Sequence, residues 1–330
     1  MSTPIQNTTT PAPERHDTWQ PRPELLEAMR RIATIADGDE TAVISDRSVT
    51  FQNFGGRTTI SAEPLNVDTI DGLRIAEIIT VRTPLTTFKL LDDRDYPLIN
   101  NFATTGAVVR DADGEDLLIS RMPLFQGDDE VLANLYTQLI ANAACLQPVG
   151  AFSGLYHLDG REKEYDAAQV AIPRWNEPSY WGGEEFANAK ERLRAQGAYA
   201  NASDTGVTVE LPWEPEAVSA IVGDCTSLLQ IRSDQPHPSA GNGLFYRLDL
   251  PTNFSGDEAR ECAAALNRAE LEGIDTPPLF GAWCTMPRSR TVSFAGFWPN
   301  ILYQPGTVTN IAIWTWARSR FARQVIANCN

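Results

Sequence analysis

Histidine is scarce in this chain of 330 residues, which contains only His16, His157 and His237. No pair of them has the His-x-x-x-His spacing, and none completes a Glu-x-x-His sequence. Zinc and di-iron sites need such ligands on one helix face or in one loop. The sequence therefore predicts no metal site and no metal cofactor.

Cysteine is equally uninformative as a source of chemistry. An odd number of cysteines without any Cys-x-x-Cys pair is typical of reduced thiols rather than of a disulfide framework. The five are Cys145, Cys225, Cys262, Cys284 and Cys329. We expect them to behave as small apolar residues in a reducing compartment.

Phosphate-binding loops are also missing, because no glycine-rich sequence has the spacing that cradles a nucleotide. The sequence at 111–115, Asp-Ala-Asp-Gly-Glu, has the start of a calcium loop. Its glycine falls at the fourth position instead of the sixth, and Met122 stands where the loop needs a glutamate. Asp-Gly favours a tight turn with positive φ, so a β-hairpin is predicted here.

Long apolar runs are absent, and the first residues have neither a basic segment nor an apolar core typical of a secretory signal. The net charge of −16 disfavours nucleic acid as a partner, because phosphate contacts need clustered Lys and Arg. Hydrophobic residues make up 42% of the chain and charged residues 21%, values of a soluble globular protein. We therefore expect a cytoplasmic protein that does not bind nucleic acid or membranes.

What is present is a repetition. One order of elements, α-β-β-β-α-β-β-α, is predicted over residues 23–145 and again over residues 183–327. A strand at 72–84 begins after a glycine and ends at a proline, as does its counterpart at 243–251. This pattern predicts an α+β protein of two similar modules produced by internal duplication, each an antiparallel sheet with helices mainly on one face.

The expected boundaries follow changes in composition. Residues 1–20 are predicted to be a disordered tail, 21–148 the first module, 149–182 an aromatic connector and 183–330 the second module. Within the first module, the segment 57–62 is expected to continue the second strand across a bend. A helix from 86 to 102 is expected to be shortened or kinked by Pro97.

Two surfaces are candidate sites. The last module is rich in tryptophan, and Trp and Arg dominate protein-binding hot spots, so Trp298, Trp314, Trp316 and Arg320 are predicted to contact a protein partner. The alternative is an enzyme site at the module interface, built from His157, Asp159 and Arg161. The serine nearest to that trio lacks the Gly-x-Ser-x-Gly elbow of hydrolases, so no catalytic residue is assigned.

The element order resembles the type III secretion chaperone-like fold, which also occurs in the YbjN-like family of bacterial proteins. The segments 72–84, 113–114 and 127–144 show this order, and 243–251, 287–288 and 306–327 repeat it. The resemblance implies an acidic, non-enzymatic protein that binds an extended segment of another polypeptide, with a tandem chain imitating a dimer. It assigns no binding residues. A structural subunit of a homo-oligomer is the third reading, and the chain is expected to be a monomer or a homodimer.

Overall fold

The computed structural model contains two six-stranded antiparallel sheets with helices, so the α+β class and the two similar sheet modules are confirmed. The structure describes residues 19–37, 42–53, 56–68, 74–85, 92, 95–102, 104–125, 140, 143, 177–212, 226–237, 240–272, 281–286 and 289–328. Predictions for the tail at 1–18, for most of the helix at 127–144 and for the connector at 151–176 lie outside these residues.

The first half consists of one sheet and two described helices. Its elements are α1 (Pro23–Asp37), β1 (Val43–Ile44), β2 (Ser48–Asn53), β3 (Gly56–Asp68), β4 (Arg74–Pro84), α2 (Tyr96–Ile99), β5 (Ala107–Arg110) and β6 (Asp116–Phe125). A 3₁₀ turn, Asn100–Phe102, continues α2.

The second half has the same order of strands, with a longer helix before its fifth strand. Its elements are α3 (Gly183–Ala195), β7 (Tyr199–Ser203), β8 (Gly206–Pro212), β9 (Thr226–Arg232), β10 (Gly243–Asp249), α4 (Gly256–Glu272), β11 (Ala282–Cys284), β12 (Ser293–Pro299) and α5 (Thr307–Asn328). None of the described helices has the length and apolar character needed to cross a membrane.

The two sheets have the same strand order. The first is β1-β2-β3-β4-β6-β5 and the second is β7-β8-β9-β10-β12-β11. In each, four strands form a meander, a helix leads to the fifth strand, and the sixth strand lies between the fifth and the fourth. The predicted counterparts at 72–84 and 243–251 are β4 and β10, which occupy the same position in their sheets.

Residues at matched register positions are identical in several cases. The turn Ser45-Asp46 before β2 corresponds to Ser203-Asp204 before β8, and in both the serine Oγ accepts from the amide two residues later. Following the ladders from these turns matches six further pairs of identical residues. They are Val49 and Val207, Thr50 and Thr208, Ile60 and Ile231, Arg82 and Arg247, Leu85 and Leu250, and Ala107 and Ala282.

The structure differs from the predicted element order in its strand count. The segment at 57–62 is not an extension of β2 but part of the long separate strand β3, which pairs antiparallel to both β2 and β4. In the second half, β7 was not predicted, because its sequence Tyr-Ala-Asn-Ala-Ser has little β-branched character. Pro97 does not kink α2, since it lies in the first turn of that helix, where the missing N–H costs no backbone hydrogen bond.

The main core lies between the inner faces of the sheets and the helices. Alternate residues of the strands point inward, for example Val49, Ile60 and Ile79 in the first sheet. Leu25 and Met29 of α1 belong to the same buried cluster.

The two halves contact each other through their fifth strands and the helices before them. Ala107, Val109, Leu117 and Ile119 form a small apolar cluster with Ala282 of the second half. The Thr285 amide donates to Pro97 O at 3.1 Å, and the Phe297 amide donates to Thr104 O at 2.9 Å. Each sheet thereby has one edge covered at the junction and its other edge, β1 or β7, at the far side.

Candidate functional site

The predicted tryptophan surface is divided by the fold. Trp298 lies on the inner face of β12, opposite Leu244, and only 5% of its surface is exposed. It is therefore part of the core rather than of a protein-binding surface. The sequence pattern missed this because every residue of β12 is buried, so no alternation marks an outer side.

The other three predicted residues lie on α5. Trp314 and Trp316 are both half-buried and pack against the main core. Arg320 is exposed, and its guanidinium carbon lies 5.4 Å from the centre of the Trp316 ring. The structure thus brings Trp316 and Arg320 together as an i,i+4 pair on the helix surface.

The alternative trio His157, Asp159 and Arg161 lies outside the described residues. His237 is described, and it serves as a contact between the halves. Its Nε2–H donates to Phe102 O at 3.0 Å, and its Nδ1 accepts from the Ala240 amide at 3.2 Å. Burial lowers the pKa of His237 from 6.5 to about 4, so the ring is neutral at pH 7. Both ring nitrogens are engaged, which suits a structural role.

The edge of the first sheet at β1 exposes apolar side chains. Val43 and Ile44 are 55% and 50% exposed. The Ser45 amide donates to Ser48 O, so Ser45 and Ser48 form a hydrogen-bonded pair and the next pair, Ile44 and Val49, does not. In an antiparallel ladder this alternation directs the N–H and C=O of Ile44 away from β2. Among the described residues no backbone group pairs with them.

The matching edge at β7 is protected. Arg194 Nε donates to Ala200 O at 2.9 Å, so a side chain already occupies one outward carbonyl. The residues at the positions of Val43 and Ile44 are Asn201 and Ala202. Tyr199 is exposed at the start of β7, but it precedes this protected stretch. The second sheet thus has a polar edge with one capped carbonyl, at Ala200, where the first has an apolar edge; the backbone of Ala202, which matches Ile44, faces outward as that of Ile44 does.

The outer face of the first sheet forms a groove of about 620 Å³. Its floor is polar, and one wall is the C-terminal end of α4 at Leu271. Arg121 connects the sheet to the end of α4, because its Nη1 donates to Leu271 O at 2.9 Å and to Glu270 O at 3.3 Å. Burial lowers the pKa of the Arg121 guanidinium, and the negative charges of Glu63 and Glu270 oppose this shift. Three arginines and two glutamates line the groove, namely Arg57, Arg82, Arg121, Glu63 and Glu115.

Arg82 is held in this groove by the β5–β6 hairpin. Its Nη2 donates to Asp111 and, at 3.1 Å, to Glu115 Oε2. The sequence 111–115 therefore forms the predicted hairpin turn, with Gly114 at φ +81°, and its carboxylates bind an arginine. No group of three metal-binding side chains occurs within the described ranges.

A buried ion pair lies beneath the second sheet. Glu270 Oε1 accepts from Trp283 Nε1 at 2.7 Å and lies 3.4 Å from Arg318 Nε. The Arg318 guanidinium carbon is 4.2 Å from the centre of the Phe294 ring. Burial raises the pKa of Glu270, and Arg318 opposes that shift. With both side chains almost fully buried, this cluster has the features of a core element.

Comparison with known proteins adds no identification: no family model, curated protein or solved structure matches the chain.

Proposed function

We propose that the protein is a non-catalytic adaptor- or chaperone-like protein that binds an extended segment of another polypeptide in the cytoplasm. The observation that supports this most directly is the β1 edge, with the outward N–H and C=O of Ile44 beside two exposed apolar side chains. An extended segment that adds to a sheet edge gains main-chain hydrogen bonds, and exposed side chains provide selectivity.

The contrast with β7 is the second argument. Exposed apolar edges promote unwanted pairing, so proteins cover or charge them. In this chain β7 has Asn201 and Ala202 where β1 has Val43 and Ile44, and an arginine binds the outward carbonyl of Ala200. The same fold therefore protects one of two matched edges, which favours a binding role for the other.

We also infer that the halves arose by internal duplication. The shared strand order and the identical residues at matched register positions support this. A tandem type III secretion chaperone-like or YbjN-like protein fits the arrangement, because two copies joined in one chain would pair as two subunits do in a dimer. The reduced thiols expected in a cytoplasm fit Cys284, which forms no disulfide in the described part of the chain.

The test is a peptide selection. Random displayed peptides are selected on the full-length protein, and the dissociation constant of a selected peptide is measured by fluorescence anisotropy. The edge variant combines Val43→Asn with Ile44→Ala, which installs the residues of β7. We expect it to bind at least about tenfold more weakly than the wild type, a loss of about 1.4 kcal/mol.

Two matched variants decide between surfaces. Trp316→Ala and Arg320→Ala should leave the affinity unchanged if β1 is the binding edge. Loss of binding in these variants and not in the edge variant would move the site to α5. Failure to select any peptide, or self-association that the edge variant abolishes, would overturn the proposal in favour of the homo-oligomer reading.

A further inference from the structure

Three hydrogen-bond donors form a row across the outer face of the first sheet. Ser61 of β3 pairs with Thr80 of β4, and Thr80 pairs with Arg121 of β6. The three residues stand on adjacent strands, on the face that lines the groove. Because neighbouring strands are about 4.8 Å apart, the row extends over about 10 Å.

Some hydrogen-bonding atoms of these three side chains have no partner among the described residues. Arg121 uses Nη1 for the two carbonyls at the end of α4, and in the described chain no acceptor binds its Nε or Nη2. The hydroxyls of Ser61 and Thr80 likewise have no protein partner among the described residues, whereas the nearby Thr50 and Thr59 hydroxyls bind each other at 3.1 Å. The site therefore combines a partly buried guanidinium with two hydroxyls that can donate to a ligand.

The second sheet has no such row. Its matched positions hold Arg232, Phe245 and Phe297. Arg232 binds both oxygens of Asp234, at 2.9 and 2.7 Å. Phe297 is buried, and its ring lies 5.1 Å from that of His237. The donor row is therefore specific to the first half and does not follow from the fold alone.

We infer that Ser61, Thr80 and Arg121 form a binding site for one oxyanion group of a small ligand, a phosphate or a carboxylate. Guanidinium groups bind both through paired N–H donors, and hydroxyls donate to the remaining oxygens. Asp111 and Glu115 already bind Arg82, so the guanidinium groups of Arg57 and Arg121 face the one remaining carboxylate that lines the groove, Glu63. This balance suits a single oxyanion and disfavours a polyanion. The site is independent of the β1 edge.

The experiment is calorimetric titration of the full-length protein with inorganic phosphate and, separately, with succinate at constant ionic strength. We expect saturable binding of one anion per chain by at least one probe, and the probe that binds identifies phosphate or carboxylate as the source. The double variant Ser61→Ala with Thr80→Val should weaken binding about tenfold or more, because two charge-assisted hydrogen bonds are lost. Arg121→Gln should abolish it.

Controls separate this site from others and from unfolding. Arg232→Gln, on the matching face of the second sheet, should leave the affinity unchanged, and so should the edge variant of β1. Because Arg121 also binds the end of α4, the double variant is the decisive one, and its unfolding midpoint is measured alongside. Absence of saturation by either anion, or saturation that the double variant does not weaken, would overturn the inference.

Discussion

Asn100 and Asn267 make the same contact in the two halves of the protein. Asn100 Oδ1 accepts from the Val108 amide at 2.7 Å, and its Nδ2 donates to Val108 O at 3.2 Å. Asn267 makes the corresponding pair with Trp283, at 2.8 Å in both directions. Val108 and Trp283 occupy matched positions in β5 and β11. Each amide thereby acts as a substitute strand neighbour at an edge that meets the other half.

The first prediction concerns Asn267, whose side chain takes the place of a neighbouring strand. Asn267→Ala removes the partner of the buried Trp283 N–H and leaves Trp283 O with only the longer contact to Asn100 Nδ2 at 3.5 Å, and buried polar groups without partners are costly. We expect the free energy of unfolding to fall by about 2 to 4 kcal/mol. Urea denaturation of the purified protein measures it. Asn201→Ala, at an exposed position of β7, should change stability by less than about 0.5 kcal/mol; an equal loss in both would refute the capping role.

Part of the fold could be predicted from the sequence because short local sequences indicate turns and helix starts. Asp-Gly at 113–114 predicted the β5–β6 hairpin, and Gly306 preceded α5 as expected. The boundaries of β3 could not be predicted in the same way, since Gly55-Gly56 is compatible with a bend within one strand as well as with a turn between two, and β3 begins at Gly56 and pairs antiparallel to β2. The repeat Ser-Asp-x-x-Val-Thr, at 45–50 and 203–208, is a further sequence signal of the proposed duplication, in addition to the element order.

The candidate sites were beyond sequence reasoning for a different reason. Ser61, Thr80 and Arg121 are distant in the chain, and only the register of three strands places them in one row. Edge status is similarly non-local, because β1 is open and β7 is capped by a helix residue, Arg194. Tryptophan content predicted a surface at Trp298, whereas packing under α5 uses that ring for the core.

The second prediction uses two glycines as a matched pair. A Cβ at Gly243 would lie 2.1 Å from Trp298 O and 2.8 Å from the Pro299 Cα, both backbone atoms of β12. Gly243→Ala should therefore lower the free energy of unfolding by about 1 to 3 kcal/mol, because β12 must move. Gly256, at the start of α4, has no atom within 4 Å of such a Cβ. Gly256→Ala should be neutral or stabilising by up to about 1 kcal/mol, as measured by thermal unfolding.

The third prediction concerns the buried ion pair. Glu270→Gln keeps an acceptor for Trp283 Nε1 but removes the negative charge beside Arg318. An unpaired buried charge costs about 3 to 5 kcal/mol, so a large loss of stability is expected. Adding Arg318→Met should restore most of it, since the fully buried guanidinium left without its partner is then also removed. Arg320→Met, at an exposed position of the same helix, is the control and should change stability little.

Failure of the second substitution to restore stability would contradict this account. It would show that Arg318 contributes chiefly through its contact with Phe294, at 4.2 Å, rather than through Glu270. The measurement is urea unfolding of the wild type, Glu270→Gln, Arg318→Met and the double variant under one condition, so that the coupling energy between positions 270 and 318 is obtained directly.

The fourth prediction is a pH dependence from His237. Its pKa is lowered from 6.5 to about 4 in the folded protein, because burial disfavours the charged ring. The unfolded chain therefore binds a proton before the folded chain does, and protonation favours unfolding as pH falls from 6.5 to 4. The stabilisation is fully present above pH 6.5, and up to about 3 kcal/mol of it is lost by pH 4. Protonation of Nδ1 also removes the acceptor for the Ala240 amide.

His237→Gln isolates this effect, because the other titrating groups are common to both proteins. The free energy of unfolding, measured in urea at intervals between pH 7.5 and 4, should fall more steeply for the wild type than for the variant. The two curves should run parallel above pH 6.5, where the imidazole is neutral in both the folded and the unfolded chain. Parallel curves over the whole range would mean that His237 titrates equally in the two states, and that its contacts with Phe102 and Ala240 open without unfolding.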